Sequence, residues 1–349
     1  MSDLLQELNA GVDTTKKENS IGTTLIIGGL GFIGHYVAME IRKMRHEDNW
    51  SDRIDVMDNR TSWNEYDSLS EYHDIDQQQL LTAGRALRVK QSDATVYHAD
   101  CNNWEQITDI MRSWPQTVIH LASAPNQKVV KERPWEAFEN TVSGLRRTLA
   151  VCEAEHFVYV SSSMVYGNFD RPIDETHPTN YVPTDTYACY KLICEELVKN
   201  WAAKQGSTYT IIRPCAVYGP WDTTDRVVAK FCLAGLRDEV MTVRGPKQKV
   251  AFTYVQDCAR GIAQAVYKRA HGTYNVSGNK AHTLLELAQG IKTITGQGDI
   301  DVVDAEPGMP QRNLLITDKA KQDFGYEPQV DLQQGVTQTI DWLKHSGLA

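Results

Sequence analysis

Tyr187 and Lys191 stand four residues apart and could together take a proton from an alcohol. On a helix, this spacing places the phenol and the ammonium on the same face. A free phenol titrates near pH ~10, and a neighbouring ammonium favours the phenolate, which is a usable proton acceptor. On its own, the same spacing also fits an ordinary solvated helix face. The pair therefore needs support from the elements around it.

A glycine-rich segment upstream predicts a site for a dinucleotide. An apolar strand pattern at 24–27 leads directly into Gly28-Gly29-Leu30-Gly31-Phe32-Ile33-Gly34, and a helical pattern follows. Glycines between a strand and a helix permit a tight turn and a close backbone approach to a pyrophosphate, which the helix N-terminus attracts. A dinucleotide beside a proton-accepting tyrosine predicts hydride chemistry on an alcohol or a ketone.

Asp58, at the end of the next predicted strand, indicates which dinucleotide binds. A carboxylate there accepts hydrogen bonds from both ribose hydroxyls and repels a 2′-phosphate. This favours NAD as the cofactor over NADP. Arg60, two residues later, keeps NADP open as an alternative, because an arginine can hold a phosphate.

The elements that must position these residues alternate along the first two thirds of the chain. The predicted strands are 24–27, 54–57, 96–98, 118–121, 157–160 and 210–213, and the predicted helices are 32–44, 104–111, 134–152 and 186–203. Such alternation predicts an α/β fold, a doubly wound parallel sheet of the Rossmann type with helices on both faces. We interpret residues 59–95 as a surface insertion with some helix.

After Pro214 the pattern predicts a smaller mixed α/β lobe at the C-terminus that binds the substrate. Its predicted helices are 227–236, 284–294 and 332–343, and its strands are 241–243, 253–255 and 274–276. We expect a flexible extension at 1–20, an NAD-binding Rossmann domain at 21–214, and a mainly substrate-binding lobe at 215–349. Some segments of that lobe are expected to return to the Rossmann sheet.

Composition narrows the possible partners and the compartment. A formal net charge of −9 and a pI near 5.6 argue against nucleic acid or an anionic membrane. No apolar run approaches the ~20 residues that span a bilayer, and the polar N-terminus has no signal-peptide core. The seven cysteines are scattered without a C-x-x-C pair, so we expect no metal site, no disulfide framework and a reducing cytoplasm.

The ordered motifs resemble those of the extended short-chain dehydrogenase/reductases, in the NAD-dependent epimerase/dehydratase family that modifies nucleotide sugars. The resemblance covers roughly residues 23–343. Besides the glycine loop, Asp58, Asn140 and the Tyr187/Lys191 pair, it rests on His120-Leu121-Ala122-Ser123, Ser161-Ser162-Ser163-Met164-Val165-Tyr166-Gly167, Arg213-Pro214-Cys215-Ala216-Val217-Tyr218-Gly219-Pro220 and Phe252-Thr253-Tyr254-Val255-Gln256-Asp257.

The resemblance implies three catalytic residues, Ser162, Tyr187 and Lys191. Ser162 would hydrogen-bond the reacting oxygen, and Lys191 would also bind the nicotinamide ribose. The expected cofactor-binding residues are Gly28, Gly31, Phe32, Ile33, Gly34, Asp58, Asn59, Asp100, Cys101, Leu121, Ala122, Ser123, Tyr187, Lys191 and Pro214. Asp100 could instead cap the helix that follows it. We interpret Ser161 as structural, and His120 as a structural histidine with satisfied hydrogen bonds rather than an acid or base.

Departures from the family pattern limit the reaction and the substrate. Ser163 and Met164 stand where the family's dehydratases have an Asp-Glu pair, which argues against dehydration and against decarboxylation. Val250 and Glu306 replace two arginines that usually bind the diphosphate. The residues expected to contact the substrate are Ser163, Met164, Ala216, Lys230, Lys249 and Arg312.

These observations favour an NAD-dependent epimerase, acting most simply at C4 of a nucleotide-activated sugar through a transient ketone. The alternative is an NAD-dependent dehydrogenase or reductase of a sugar or another hydroxy substrate. A third hypothesis, a cofactor-sensing binding protein without catalysis, conflicts with the intact Ser162, Tyr187 and Lys191. The resemblance also implies a homodimer formed through the helices predicted at 134–152 and 186–203.

Overall fold

The structure is a computed structural model that describes residues 22–47, 53–60, 73–179, 185–305 and 311–349, with the side chains of 73–80 excepted. The expected extension at 1–20 and the position of Glu306 lie outside the described residues.

The described residues form strands and helices in an alternating order. The strands are β1 (Thr24–Ile27), β2 (Ile54–Asp58), β3 (Thr95–His98), β4 (Thr117–His120), β5 (His156–Val160), β6 (Thr208–Pro214), β7 (Val217–Tyr218), β8 (Met241–Arg244), β9 (Lys249–Val250), β10 (Thr253–Tyr254), β11 (Gly272–Val276), β12 (His282–Thr283) and β13 (Ile300–Val303). The helices are α1 (Phe32–Glu47), α2 (His73–Lys90), α3 (Trp104–Met111), α4 (Gln127–Glu132), α5 (Pro134–Phe138), α6 (Gly144–Val151), α7 (Thr186–Gln205), α8 (Val227–Leu236), α9 (Val255–Tyr267), α10 (Leu284–Thr295), α11 (Asp318–Phe324) and α12 (Leu332–Ser346).

Seven strands form one sheet in the order β3-β2-β1-β4-β5-β6-β11, and every neighbouring pair is parallel. The central strands β1, β4 and β5 are buried along their whole length, as strands covered on both faces must be. The direction of strand progression reverses between β1 and β4. The carboxyl ends of these two strands therefore flank the crevice where open α/β sheets bind ligands. The predicted Rossmann-type fold is confirmed.

Apolar clusters pack on both faces of this sheet. On one face, α1 and α9 bury Val37, Ile41, Ile262 and Val266 in a cluster that includes Ile26 of β1. On the other face, α3, α6 and α7 contribute Ile107, Leu145 and Val198 to a cluster that includes Leu25 of β1. Alternate residues of one strand thus face the two layers, and this fixes the orientation of the carboxyl ends that form the crevice.

Part of the C-terminal third joins the main sheet. The strand predicted at 274–276 as part of the lobe is β11 of the main sheet, and it pairs with β6 from Thr210 to Pro214. The helix α9, which was not predicted, packs against α1 in the main core. The apolar pattern of a short segment predicts a strand, but it does not predict which sheet that strand joins.

The remaining C-terminal elements form a separate apolar core. Helices α8, α10 and α12 bury Phe231, Leu287 and Ile340 there. The two-stranded pairs β7/β10, β8/β13 and β9/β12 lie in the same region of the sequence.

Two further elements differ from prediction. The helix predicted at 134–152 is divided into α5, a π-helical turn at Glu139–Ser143, and α6. The insertion at 59–95 contributes α2, which is less superficial than expected because Leu81, Arg85 and Val89 are buried.

Candidate active site

A cavity of about 320 Å³ lies at the carboxyl ends of β1, β2, β4, β5 and β6. Its position at the reversal of the strand order is where this class of sheet binds a ligand, and its volume falls in the ordinary range for small-molecule sites. The predicted cofactor-binding residues that line it are Gly28, Gly31, Phe32, Ile33, Gly34, Asp58, Asn59, Cys101, Leu121, Ala122, Ser123, Tyr187, Lys191 and Pro214. The structure therefore brings together residues that are up to 186 positions apart, from Gly28 to Pro214.

The glycine loop forms a turn that side chains would obstruct. Gly28 has φ +78°, and a Cβ there would lie 2.7 Å from the backbone nitrogen of Ala122. A Cβ on Gly34 would collide with the carbonyl oxygen of Gly28 and lie 2.7 Å from Gly29 Cα. Both positions require glycine for space, and Gly28 also for conformation. The loop thus gives close access to the first turn of α1, whose N–H groups lack partners within the helix.

Asp58 is held in place at the end of β2 by two backbone groups. Leu30 N donates to Oδ2 at 2.9 Å, and Arg60 N donates to Oδ1 at 2.7 Å. Burial raises the pKa of the Asp58 carboxyl, while the two N–H donors act in the opposite direction. Each carboxylate oxygen accepts one bond from the protein and has capacity for another. The arrangement is therefore suited to a pair of ribose hydroxyls.

Asp100 does not belong to the cavity wall. Its Oδ1 accepts from Asn102 N at 2.7 Å, and its Oδ2 accepts from Asn59 Nδ2 at 3.2 Å. The N-cap of α3 is Asn103, whose side chain accepts from Gln106 N. Asp100 is therefore not the N-cap of α3, and its contact with the adenine stays a prediction. It orders the turn between β3 and α3 instead.

Ser162, Tyr187 and Lys191 line the cavity together. Tyr187 and Lys191 lie one turn apart on α7, whose N-cap Asp185 accepts from Ala188 N at 3.1 Å. The Lys191 ammonium lies 5.7 Å from the centroid of the Tyr187 ring. It also donates to Ser123 Oγ at 3.0 Å and to the carbonyl oxygen of Val160 at 3.1 Å. The ammonium is thus fixed beside the phenol in a buried setting.

The three consecutive serines have different partners. Ser162 Oγ accepts from Met164 N at 3.2 Å, at the start of a short 3₁₀ turn, Ser163–Tyr166. Because this oxygen accepts a bond from the backbone, its own O–H can donate elsewhere. Ser161 Oγ donates to Glu195 Oε1 at 2.6 Å in the interior, which is a structural contact. Ser162 is the serine whose hydroxyl is available to a ligand in the cavity.

His120 is fully buried at the end of β4. Burial, followed by the charge of Lys191, lowers the pKa of its imidazole to about 3. Neither ring nitrogen has a hydrogen-bond partner in the described part of the chain. The prediction of satisfied hydrogen bonds was therefore wrong for His120. A neutral, enclosed imidazole is a packing element next to the ammonium.

The charged residues of the cavity wall that were not among the predicted cofactor-binding residues are Arg60, Arg85, Asp222, Asp225 and Arg226. Arg85 of α2 donates to the carbonyl oxygen of Trp221 through Nε and Nη2, at 3.1 and 2.5 Å. Burial lowers the pKa of Arg85 to about 10 and raises the pKa of Asp222 to about 6. Arg226 Nε lies 3.4 Å from Asp222 Oδ1. The spacing of Leu81, Arg85 and Val89 places an arginine on the apolar stripe of a helix. This signal could have identified Arg85 as a buried arginine with a specific role.

The predicted substrate-contacting residues divide into two groups. Ser163 and Met164 follow Ser162 directly in the 3₁₀ turn, and Arg312 contacts both. Ala216, Lys230 and Lys249 are exposed and lie outside the cavity wall in the described structure. Val250, where the family usually has a phosphate-binding arginine, pairs with His282 between β9 and β12.

A doubly wound parallel sheet, a glycine turn at its crevice and a Ser-Tyr-Lys set beside that turn define an extended short-chain dehydrogenase/reductase. Residues 24–277 match the NAD dependent epimerase/dehydratase family, and the chain belongs to this family. NAD is the cofactor of the family.

Among the described residues, no helix combines the length and the apolar character needed to cross a membrane.

Relatives with different reactions resemble the chain along most of its length. The dTDP-glucose 4,6-dehydratase of Escherichia coli is 25% identical over 91% of this chain and 92% of its own. The UDP-N-acetyl-alpha-D-glucosaminuronate decarboxylase of Bacillus cytotoxicus is 27% identical over 92% of this chain and 97% of its own.

Solved structures that share the fold include two 4-epimerases. The UDP-glucuronic acid 4-epimerase of Bacillus cereus, in complex with UDP-glucuronic acid and NAD, has a TM-score of 0.80 at 22% identity and covers 93% of this chain and 99% of its own. The UDP-glucose 4-epimerase of Thermus thermophilus, in complex with NAD, has a TM-score of 0.75 at 23% identity and covers 92% and 99%. The comparisons thus establish the family and the fold, and the reaction must be argued from the site.

Proposed function

We propose that the protein is an NAD-dependent epimerase that inverts a hydroxyl-bearing carbon, C4 in the simplest case, of a nucleotide-activated sugar. The observation that carries this proposal is the catalytic wall of the cavity. Ser162, Tyr187 and Lys191 lie there together, while the adjoining turn presents Ser163 and Met164 rather than carboxylic acids. Such a site can move a proton on and off one oxygen, and it lacks an acid in this turn for expelling a second hydroxyl.

The cavity fits NAD at both of its ends. Gly28, Gly31, Phe32, Ile33 and Gly34 would hold the pyrophosphate at the start of α1, where the glycine turn leaves the backbone open. Asp58 and Asn59 would hold the adenosine ribose, and Ser123 with Lys191 the nicotinamide ribose. When bound, NAD supplies a nicotinamide ring that takes a hydride from the sugar carbon and later returns it.

Three side chains of the cavity would transfer the proton of the reacting hydroxyl and orient its oxygen. The phenol oxygen of Tyr187 accepts the proton of the reacting hydroxyl as that carbon becomes a ketone, and it returns the proton when the alcohol reforms. Ser162 donates a hydrogen bond to the reacting oxygen, since its oxygen already accepts a bond from Met164 N and its O–H can point into the cavity. The Lys191 ammonium stabilises negative charge on the Tyr187 oxygen. Its hydrogen bonds to Ser123 Oγ and Val160 O hold the ammonium in that position. Turnover leaves the protein in its starting protonation state.

The position of Met164 argues against dehydration and decarboxylation. A thioether cannot donate a proton to a departing hydroxyl. Its sulfur lies against Arg312, which fills this side of the turn with a cation. Acids of the family's dehydratases belong at this place according to the sequence resemblance, and this chain has none there.

A second candidate function is supported by Val250. The valine stands in place of an arginine that usually binds the diphosphate, and it lies in the short pair β9/β12. A substrate without a diphosphate would leave no need for that arginine. The same catalytic wall could then serve an NAD-dependent dehydrogenase or reductase of another hydroxy compound.

Incubation with a panel of nucleotide sugars tests the proposed function. We expect chromatography to show an isomer of the substrate without accumulation of reduced nicotinamide. The Tyr187→Phe variant should lose about 10²- to 10⁴-fold in rate. Tyr190→Phe is the matched control, since Tyr190 is on the same helix and its hydroxyl donates to Pro134 O outside the cavity wall. Stoichiometric reduction of NAD without an isomer would identify a dehydrogenase instead.

We also propose that the protein forms a homodimer through α5, α6 and α7. Trp135 of α5 is 83% exposed and Ile193 of α7 is 38% exposed, and large apolar side chains of this kind are common at interfaces. Light scattering should give twice the monomer mass of 39.3 kDa, and a Trp135→Glu variant should shift the equilibrium toward monomers.

A further inference from the structure

Arg312 lies behind the catalytic turn and outside the dinucleotide cavity. Its Nη1 donates to the carbonyl oxygen of Ser163 at 2.9 Å, and its Nη2 contacts Met164 Sδ. The guanidinium carbon lies 5.5 Å from the centroid of the Phe169 ring. Two of the five N–H donors are used in this way, and among the residues that the structure describes no further acceptor is seen for the others.

The backbone that carries Arg312 is fixed against the segment that follows the catalytic turn. Phe169 N donates to Gln311 O at 3.0 Å, Ile173 N to Leu314 O at 3.1 Å, and Ile316 N to Ile173 O at 2.7 Å. These bonds pair residues 311–316 with 169–173. The arginine is therefore held in position before any ligand arrives, which lowers the entropic cost of binding.

The charge of Arg312 is poorly compensated. Burial lowers the pKa of its guanidinium, and the charges of Cys215 and Asp185 act in the opposite direction. Among the described residues, no carboxylate lies within ion-pair distance of it, whereas the buried guanidinium of Arg213 has Glu195 at 2.6 Å. Arg312 is half-buried, so an anionic ligand could pair with its guanidinium at a smaller desolvation cost than a fully buried cation would impose.

A substrate held at Ser162 would lie close to Arg312. Ser162, which holds the reacting oxygen in the proposed function, is adjacent in sequence to Ser163, and consecutive Cα atoms are about 3.8 Å apart. Ala251, next to Val250, packs in the same apolar cluster as Phe169 and Cys215. Arg312 thus contacts the turn that follows the catalytic hydroxyl, and through Phe169 it adjoins the cluster next to the strand that lacks the usual phosphate-binding arginine.

We propose that Arg312 binds an anionic oxygen group of the substrate, and this inference rests on the proposed function. The group is either a carboxylate carried by the sugar or the phosphate attached to it. Both offer paired oxygen atoms that suit the planar fork of a guanidinium.

Binding calorimetry on the full-length, NAD-loaded protein distinguishes a sugar carboxylate from a phosphate as the group that Arg312 binds. The probes are UDP, UDP-glucose and UDP-glucuronate, each with the wild type, Arg312→Gln and Arg312→Lys. We expect Arg312→Gln to weaken at least one probe about tenfold or more, and Arg312→Lys to recover part of that loss. Arg269→Gln is the control, because Arg269 forms an exposed ion pair with Glu155.

Each outcome has a defined meaning. A loss confined to UDP-glucuronate supports a sugar carboxylate, and an equal loss for all three probes supports a phosphate. A change below about twofold for every probe, or a wild type that binds none of them, overturns the inference. Isomer formation is measured separately on the same samples. If the wild type binds the probes and converts none, the proposed epimerase function fails while the role of Arg312 is still decided by the dissociation constants.

Discussion

Arg213 and Glu195 form a bidentate ion pair in the interior, with Nε to Oε1 at 2.9 Å and Nη2 to Oε2 at 2.6 Å. Ser161 Oγ donates to the same carboxylate at 2.6 Å. The pair joins β6, α7 and the serine turn after β5. Since Glu195 is one turn beyond Lys191 on α7, this contact fixes the lysine relative to Ser162.

Breaking this ion pair should cost much more stability than breaking an exposed one. Arg213→Met leaves Glu195 buried without its cation, and we expect the free energy of unfolding to fall by about 3–5 kcal/mol. The control is Arg269→Met, whose exposed pair with Glu155 should contribute about 0–1 kcal/mol. Urea titration at neutral pH measures both. Similar small losses in the two variants would show that the buried pair does not hold the helix.

Gly34→Ala should weaken dinucleotide binding while the protein still folds. The new methyl group would collide with Gly28 O, so the loop would have to move away from the start of α1. We expect the affinity for NAD to fall by at least about tenfold, measured by calorimetry on cofactor-free protein. Gly290→Ala is the control, because a Cβ at this position on α10 meets no atom within 4 Å. Wild-type NAD affinity in Gly34→Ala would contradict the assignment of the loop.

Arg85→Met should weaken NAD binding through the loss of a cation from the cavity wall. Arg85 lines the cavity and is 6% exposed, so its charge is poorly screened and attracts the pyrophosphate. We expect an affinity loss of about tenfold at low salt. Arg88→Met, on the same helix, removes a cation that lies over the Tyr36 ring at 4.9 Å and outside the cavity wall. If both variants bind NAD equally well, Arg85 serves only to attach α2.

The glycine turn and the Tyr187/Lys191 pair could be predicted from the sequence because their signals are local. Residue type and spacing alone determine that a strand, a glycine turn and a helix adjoin, and that a phenol and an ammonium share a helix face. The bounds of α3 and α8 are those predicted, 104–111 and 227–236.

The environment of Arg85 and the sheet position of Tyr274 could not be predicted in the same way. Both depend on pairing between distant segments. Arg85 meets the carbonyl group of Trp221, 136 residues away, and Tyr274 pairs with Ile212. Strand patterns identify which residues face the core, and they do not identify the neighbouring strand. Arg312 was expected near the substrate from the family resemblance, but its contact with Ser163 spans 149 positions and could not be predicted from local spacing.

Acid should destabilise the protein in part through His120. The imidazole is fully buried, and its pKa is lowered from an ordinary value of 6.5 to about 3. Because the unfolded chain binds a proton below pH 6.5 and the folded one does not until about pH 3, the stability present above pH 6.5 is lost progressively as the pH falls. At pH ~5 the loss from this one group amounts to about 2 kcal/mol.

A His120→Phe variant separates this contribution from every other titrating group. The aromatic ring keeps a partner for Phe157 and Tyr159, whose ring centroids lie 6.3 Å away, and it cannot take a proton. The measured quantity is the difference in the free energy of unfolding between pH ~7 and ~5, which cancels any constant cost of repacking. We expect this difference to be about 2 kcal/mol smaller in His120→Phe than in the wild type, and unchanged in His345→Phe, where the side chain is exposed. An equal acid sensitivity of wild type and His120→Phe would mean that His120 is protonated in the folded protein, and the neutral packing role assigned to it beside Lys191 would be wrong.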